Sequence, residues 1–117
     1  MDDEEMVGEI ACQMLQFLGF DAFWVANGLE AIQEYGKQKD AGQAYAAIIM
    51  DLTIRGGMGG QEAIVEILAI DPAAKAFVSS GYANDPIMVN YKDYGFSGVI
   101  AKPFDITAVQ QILDTVL

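Results

Sequence analysis

Ala46-Ala-Ile-Ile-Met-Asp-Leu52 runs five apolar residues without a polar break and then meets a carboxylate, Asp51. Thr53-Ile-Arg-Gly-Gly-Met-Gly-Gly60 follows, with four glycines in eight residues. Uninterrupted apolar character over so short a length, with two β-branched residues in it, suits a strand buried on both faces. A helix would need greater length and an amphipathic period. The glycines end the strand in a loop. Asp51 is therefore expected at the carboxyl end of a central strand, where open α/β sheets carry their reactive groups. An aspartate that only caps the turn would fit this stretch equally well, and the flanking sequence has to decide.

Upstream, residues 39–45 connect the strand to a helix marked by Leu29, Ile32 and Tyr35 and ending near Gln38. Residues 21–26 read as a short strand, with Asn27-Gly28 as the turn after it. Before that, Val7, Ile10, Ala11, Met14, Leu15 and Leu18 recur at three- and four-residue steps, an amphipathic helix closed by Gly19. Downstream of the glycines, residues 61–70 read as a helix with Ala63, Ile64, Ile67 and Leu68 on one face, stopped by Asp71-Pro72. Residues 75–79 form the next strand. Asp85 and Pro86 then start a helix that runs to about Tyr94 and ends at Gly95. A last short strand, 98–101, leads through Lys102-Pro103-Phe104 to a helix capped by Asp105 and carrying Ile106, Val109, Ile112, Leu113 and Val116. Strands alternating with helices at this spacing imply one α/β domain over 1–117, a doubly wound parallel sheet with helices on both faces.

Composition narrows the chemistry. The 117 residues carry 17 acidic and 6 basic side chains, a net charge of −11, and no histidine. Such a surface repels nucleic-acid phosphates, so no direct nucleic-acid contact is expected. The missing histidine removes imidazole acid–base catalysis, most zinc sites and any phosphohistidine donor from the chain. No apolar run approaches a membrane span, and no basic-then-apolar leader is evident. The lone Cys12 fits a reducing compartment. The expected setting is cytoplasmic, without membrane contact.

In a parallel sheet the strand ends share one edge, which gathers Asp2 and Asp3, Asp51, Ser79-Ser80 and Lys102. Three carboxylates in one pocket repel unless a cation is present. Mg²⁺ takes oxygen ligands, keeps several waters and completes its shell with phosphate. A lysine and a hydroxyl beside it can hold the remaining phosphoryl oxygens. The set suggests an aspartate that accepts phosphate, and Lys-Pro-Phe directly after a strand aims the lysine through the fixed proline backbone.

Asp2-Asp3, Asp51, Ser80 and Lys102-Pro103-Phe104, in this order and spacing, resemble the receiver domain of two-component response regulators over essentially the whole chain. The segments 79–86 and 94–104 are most similar to receivers of hybrid sensor histidine kinases. The resemblance implies a flavodoxin-like (βα)5 fold, with Asp51 as phosphoacceptor. It also implies Mg²⁺ or Mn²⁺ held by Asp3, Asp51 and the Thr53 backbone carbonyl, with Asp2 assisting through water. Ser80 would be the switch hydroxyl, Lys102 the phosphate contact, and Thr53 and Tyr82 the positions that tune acyl-phosphate lifetime. The implied partner is a sensor histidine kinase or histidine phosphotransfer protein. The implied activity is signalling, limited to the domain's own phosphotransfer and autodephosphorylation, rather than that of an enzyme with external substrates.

Three departures accompany the resemblance. Val99 stands where the family usually has an aromatic switch residue, with Phe96 or Tyr82 as substitutes, and Arg55 stands where many members have proline. The family's first strand is also missing ahead of Asp2-Asp3. In the family's strand order it would lie between residues 21–26 and 46–50, and skipping it would leave them about 9.5 Å apart, twice a strand spacing. The expectation is that Met1 ends a truncated strand, and that the slot is filled by another strand, by a strand swap in a homodimer, or by closure of the sheet. The rival reading is a pseudo-receiver that takes no phosphate and acts only as a protein-interaction domain. A haloacid-dehalogenase-type phosphotransferase would need a second acid at Thr53, a flavin module a hydroxyl-rich first loop, and a P-loop a Gly-Lys-Ser/Thr after the glycines; the chain has none of these.

Overall fold

The computed structural model describes residues 1–116, with side chains as far as Thr115. Leu117 and the Val116 side chain, both included in the expectations above, lie outside the described residues. The order is α1 (Glu5–Phe17), α2 (Gly28–Asp40), β1 (Ile48–Asp51), α3 (Gly60–Ile70), β2 (Ala76–Ser80), α4 (Pro86–Val89), a 3₁₀ turn (Tyr91–Tyr94), β3 (Gly98–Ala101) and α5 (Ile106–Val116). The three strands form one parallel sheet in the order β1-β2-β3, with Asp51 opposite Ser79 and Ser80 opposite Ala101. Every residue of β2 is buried, as a strand flanked on both edges and covered on both faces requires.

One face of the sheet packs Met50, Ala76 and Val78 against Ala31 and Tyr35 of α2 and Ala63, Ile64 and Ile67 of α3, with Met88 and Phe96 completing the layer. The other face packs Phe77 and Ile100 against Val109 and Leu113 of α5, with Leu15 and Leu18 of α1 at its margin. This is the expected doubly wound, flavodoxin-like arrangement.

Several local expectations change. Residues 21–26 form no strand, because a strand exists only through a ladder with a partner, and here a single backbone hydrogen bond, from the Asp2 amide to the Val25 carbonyl, stands in for one. Asn27 is the N-cap of α2 rather than a free turn: its Oδ1 accepts from the Glu30 amide at 3.0 Å, while Glu30 accepts from the Ala26 amide and Asn27 Nδ2. Leu29 and Ile10, expected on buried faces, are exposed. The helix expected over 86–94 breaks at Asn90 into one α-turn and one 3₁₀ turn.

Asp2 and Met1 occupy the position of the missing strand. The Met1 ammonium donates to the Ile49 carbonyl at 2.7 Å, and the Asp51 amide donates to the Met1 carbonyl at 3.0 Å. On the other side the Asp2 amide donates to the Val25 carbonyl at 3.1 Å, and Trp24 Nε1 donates to the Asp2 carbonyl at 2.8 Å. Behind this stub lies a cleft of about 160 Å³ whose lining includes Ala11, Leu15, Val25, Ile49 and Ser79. Ile48 and Ile49 are only half-buried for that reason, although their sequence reads as fully buried strand.

Candidate functional site

Asp51 ends β1 and Asp2 ends the stub beside it, so adjacent parallel strands bring two carboxylates to one edge. Both are buried, 6% and 5% exposed. Asp3 follows half-buried, its Oδ2 accepting from the Arg55 amide at 3.1 Å. One carboxylate oxygen from each of Asp2, Asp3 and Asp51 lies within 4.8 Å of the others.

Two glycines set the depth of the pocket. A Cβ on Gly59 would stand 2.7 Å from the Leu52 carbonyl oxygen, and one on Gly60 would stand 2.9 Å from that of Asp51. Only glycine lets the start of α3 approach the acceptor strand this closely. The glycine-rich stretch is thus a close-approach device as well as a strand terminator.

Lys102, directly after β3, reaches over the end of β2. Its Nζ lies 2.7 Å from Asp2 Oδ2 and 3.1 Å from Asp51 Oδ2, and its amide donates to the Ser80 carbonyl at 3.0 Å. Burial raises the Asp51 pKa above the ordinary carboxylate value, with the Asp2 charge adding to it, and the Lys102 interactions offset this only in part. For Lys102 burial acts downward, yet the hydrogen bonds to Asp2 and Asp51 outweigh it and the pKa is raised. The lysine is thus the internal counter-ion of a crowded acidic pocket.

Ser80 ends β2, buried, with Oγ accepting from the Tyr82 amide at 3.1 Å. Thr53 is exposed at the mouth, its amide 3.4 Å from Asp51 Oδ1. Tyr82 is 73% exposed, so its ring stands in solvent rather than against the carboxylates. Val99 pairs with Val78 inside the sheet and packs on the α2–α3 core, and Phe96 is buried in that same core. Ser79, expected with Ser80 at the strand edge, instead turns to the cleft side of the sheet, its hydroxyl buried without a hydrogen-bond partner among the described residues, which no residue pattern signalled.

The donor set of Asp2, Asp3 and Asp51 is all hard oxygen, with net negative charge left after Lys102, which suits Mg²⁺ or Mn²⁺ rather than a thiolate- or imidazole-seeking metal. The family model for the response regulator receiver domain matches residues 1–114. The chain belongs to the response regulator receiver family. This receiver is 32% identical over 88 residues to the chemotaxis protein CheY of Listeria monocytogenes, covering 75% of this chain and 69% of the relative. It is 24% identical over 110 residues to sporulation initiation phosphotransferase F of Bacillus subtilis, 94% and 84% of the two chains. Among solved structures, the receiver domain of a sensor histidine kinase from Pseudomonas aeruginosa, with magnesium coordinated in its active-site cleft, matches with a TM-score of 0.85 at 25% identity, over 99% of this chain and 92% of that one. CheY of Borrelia burgdorferi, solved with CheX, BeF3 and magnesium, shares the fold at a TM-score of 0.87 and 22% identity, over 98% and 84%. The receiver is a signalling domain of two-component systems. No helix among its described residues is long and apolar enough to cross a membrane.

Proposed function

We propose that this receiver accepts a phosphoryl group on Asp51 from a phosphohistidine of a sensor histidine kinase or histidine phosphotransfer protein, in the cytoplasm and with Mg²⁺ bound. The carrying observation is the meeting of the three carboxylates within 4.8 Å, with Lys102 bridging two of them. A relative named as a phosphotransferase and a kinase receiver holding magnesium in its cleft support it.

In the proposed reaction an Asp51 carboxylate oxygen attacks phosphorus, the P–N bond to the donor imidazole breaks, and the imidazole takes the electron pair. Asp2, Asp3, Asp51 and the Thr53 carbonyl would hold the cation, which when bound neutralises charge on the transferring phosphoryl oxygens. Lys102 exchanges its contact with Asp51 for one with a phosphoryl oxygen while keeping Asp2. The Ser80 hydroxyl, whose oxygen already accepts from the Tyr82 amide, donates a hydrogen bond to another phosphoryl oxygen. Thr53 and Tyr82, both exposed at the rim, set how readily water reaches the acyl phosphate and so the slow autodephosphorylation. Val99 carries no ring to rotate, so signalling through this position would need another group. Residues 1–117 act as one such domain.

Incubation with acetyl phosphate and Mg²⁺, followed by intact-mass spectrometry, tests the proposal. One phosphoryl adduct on the parent and none on Asp51→Asn is expected. An unlabelled parent chain that still binds its kinase would instead favour the pseudo-receiver.

A further inference from the structure

We infer, resting on the cation binding proposed above, that the main-chain N–H of Arg55 is a positioning group for Asp3. It holds one carboxylate oxygen, so that Asp3 meets a divalent cation already oriented. The three carboxylates are not steadied alike. Asp2 has Lys102 at 2.7 Å on one oxygen and the Glu4 amide at 2.9 Å on the other. Asp51 has Lys102 at 3.1 Å and the Thr53 amide at 3.4 Å, again one on each oxygen. Asp3 is less buried than either. Among the described residues its carboxylate has a single partner, the Arg55 amide, 3.1 Å from Oδ2. The lysine that braces the other two does not brace this one, so its direction falls to Arg55. Outer groups of this kind, which hold a ligand rather than the metal, set how much of the ligand's freedom is lost on binding.

A donor can orient Asp3 only if it is itself fixed. Arg55 sits in the loop between β1 and α3, and that loop is fastened again at Met58, whose carbonyl accepts from the Gly28 amide at 2.7 Å. Gly28 is buried beneath it: a Cβ there would stand 2.8 Å from Met58 Cγ and 2.9 Å from the Met58 carbonyl oxygen. Gly56, at φ 69°, makes the turn between the two fastenings. The Arg55 side chain is exposed and makes no ion pair among the described residues, so the contribution is the backbone's. Proline, which many receivers carry at this place, has no N–H to give. The bond lies at the surface, where water can replace it, and so adds little to folding. Its effect is on the direction of Asp3.

Arg55→Ala and Arg55→Pro both delete the guanidinium and differ in whether the backbone nitrogen carries a proton. In a calorimetric titration with Mg²⁺, Arg55→Ala should keep a Kd within about twofold of the parent, and Arg55→Pro should bind about tenfold more weakly, the low end of what an outer partner is worth at a metal site. Equal Kd values in the two variants overturn the inference and leave Mg²⁺ binding standing, whatever their urea midpoints. A parent that binds no Mg²⁺ overturns that binding and the inference with it. Where proline unseats the loop, seen as a displaced Gly28 amide resonance, a metal-free measurement decides. Amide hydrogen exchange at Arg55 should be about tenfold faster in Asp3→Ala than in the parent, the order expected of one hydrogen bond to a charged group. Exchange at the same rate in both overturns the inference.

Discussion

Replacing Lys102 with methionine isolates the electrostatics of the site. Lys102→Met keeps most of the side-chain stem and leaves Asp2 and Asp51 buried beside each other without their cation. Removing one partner of a buried pair costs about 3–5 kcal/mol. Protonation sets a ceiling, because the folded chain can neutralise one carboxylate, and at pH 7 that costs about 4 kcal/mol from an ordinary pKa of about 3.9. The Lys102 side chain is 20% exposed, so water already shares some of its role. A loss of about 2–4 kcal/mol at pH 7 follows. Between about pH 4 and 7 the folded variant then holds a proton that the unfolded chain lacks, so the deficit shrinks as pH falls, by up to about 1.4 kcal/mol per unit. In the parent, the raised Lys102 pKa makes its contribution complete below an ordinary lysine pKa of about 10.4, and it is lost only as pH rises through the higher folded value. Urea unfolding at pH 5 and pH 7, each with EDTA and with saturating Mg²⁺, measures all of this. Mg²⁺ at a hundred times its Kd adds about 2.7 kcal/mol to a folded state, and the variant should gain more than the parent, where the lysine competes. A deficit identical at both pH values and indifferent to Mg²⁺ would refute the reasoning and assign the loss to packing of the lysine stem.

Asp3→Ala should weaken Mg²⁺ binding in a calorimetric titration while raising the metal-free melting temperature, since one of three crowded charges is gone. Gly60→Ala should destabilise by about 1–3 kcal/mol and shift the Asp51 and Leu52 amide resonances, because the new methyl meets the Asp51 carbonyl. Ser79→Ala should leave the fold unchanged and stabilise it by about 1 kcal/mol in urea, because it deletes an unpartnered hydroxyl facing an apolar cleft. Tyr35→Phe should lower the melting temperature by removing the 2.7 Å hydrogen bond to Asp71. That bond lowers the Asp71 pKa, so its contribution is present above the ordinary aspartate value and fades as pH falls through the folded one; the deficit should disappear in acid.

β1 was legible from Ile48, Ile49 and Met50 because a short uninterrupted apolar run suits a strand inside the sheet, while the cleft that leaves the two isoleucines half-buried has no mark in the run itself. Asp51 and Lys102 were legible because strand ends share an edge whatever the loops do. Residues 21–26 misled for the converse reason: Phe23, Trp24 and Val25 have strand-like side chains, but strand formation is a property of a pair of backbones. The capping box was present as Asn27 and Glu30, three residues apart, yet Asn-Gly also signals a turn and that signal took precedence. The bridging of Asp2 and Asp51 by one lysine was beyond reach, since only three-dimensional placement decides which carboxylates a flexible side chain meets.

The helix between β2 and β3 is a single α-turn, Pro86–Val89, followed by a 3₁₀ turn. Helices this short do not persist in water on their own. Its order is borrowed from Met88, Tyr91 and Tyr94 where they rest on the sheet and α3, while Val89 stays in solvent. Limited proteolysis should therefore cut first between Gly81 and Gly95, leaving β1 and α3 intact in the early fragments. A partner gripping Val89 or Tyr82 would handle a segment that can be re-formed in another shape without taking the sheet apart.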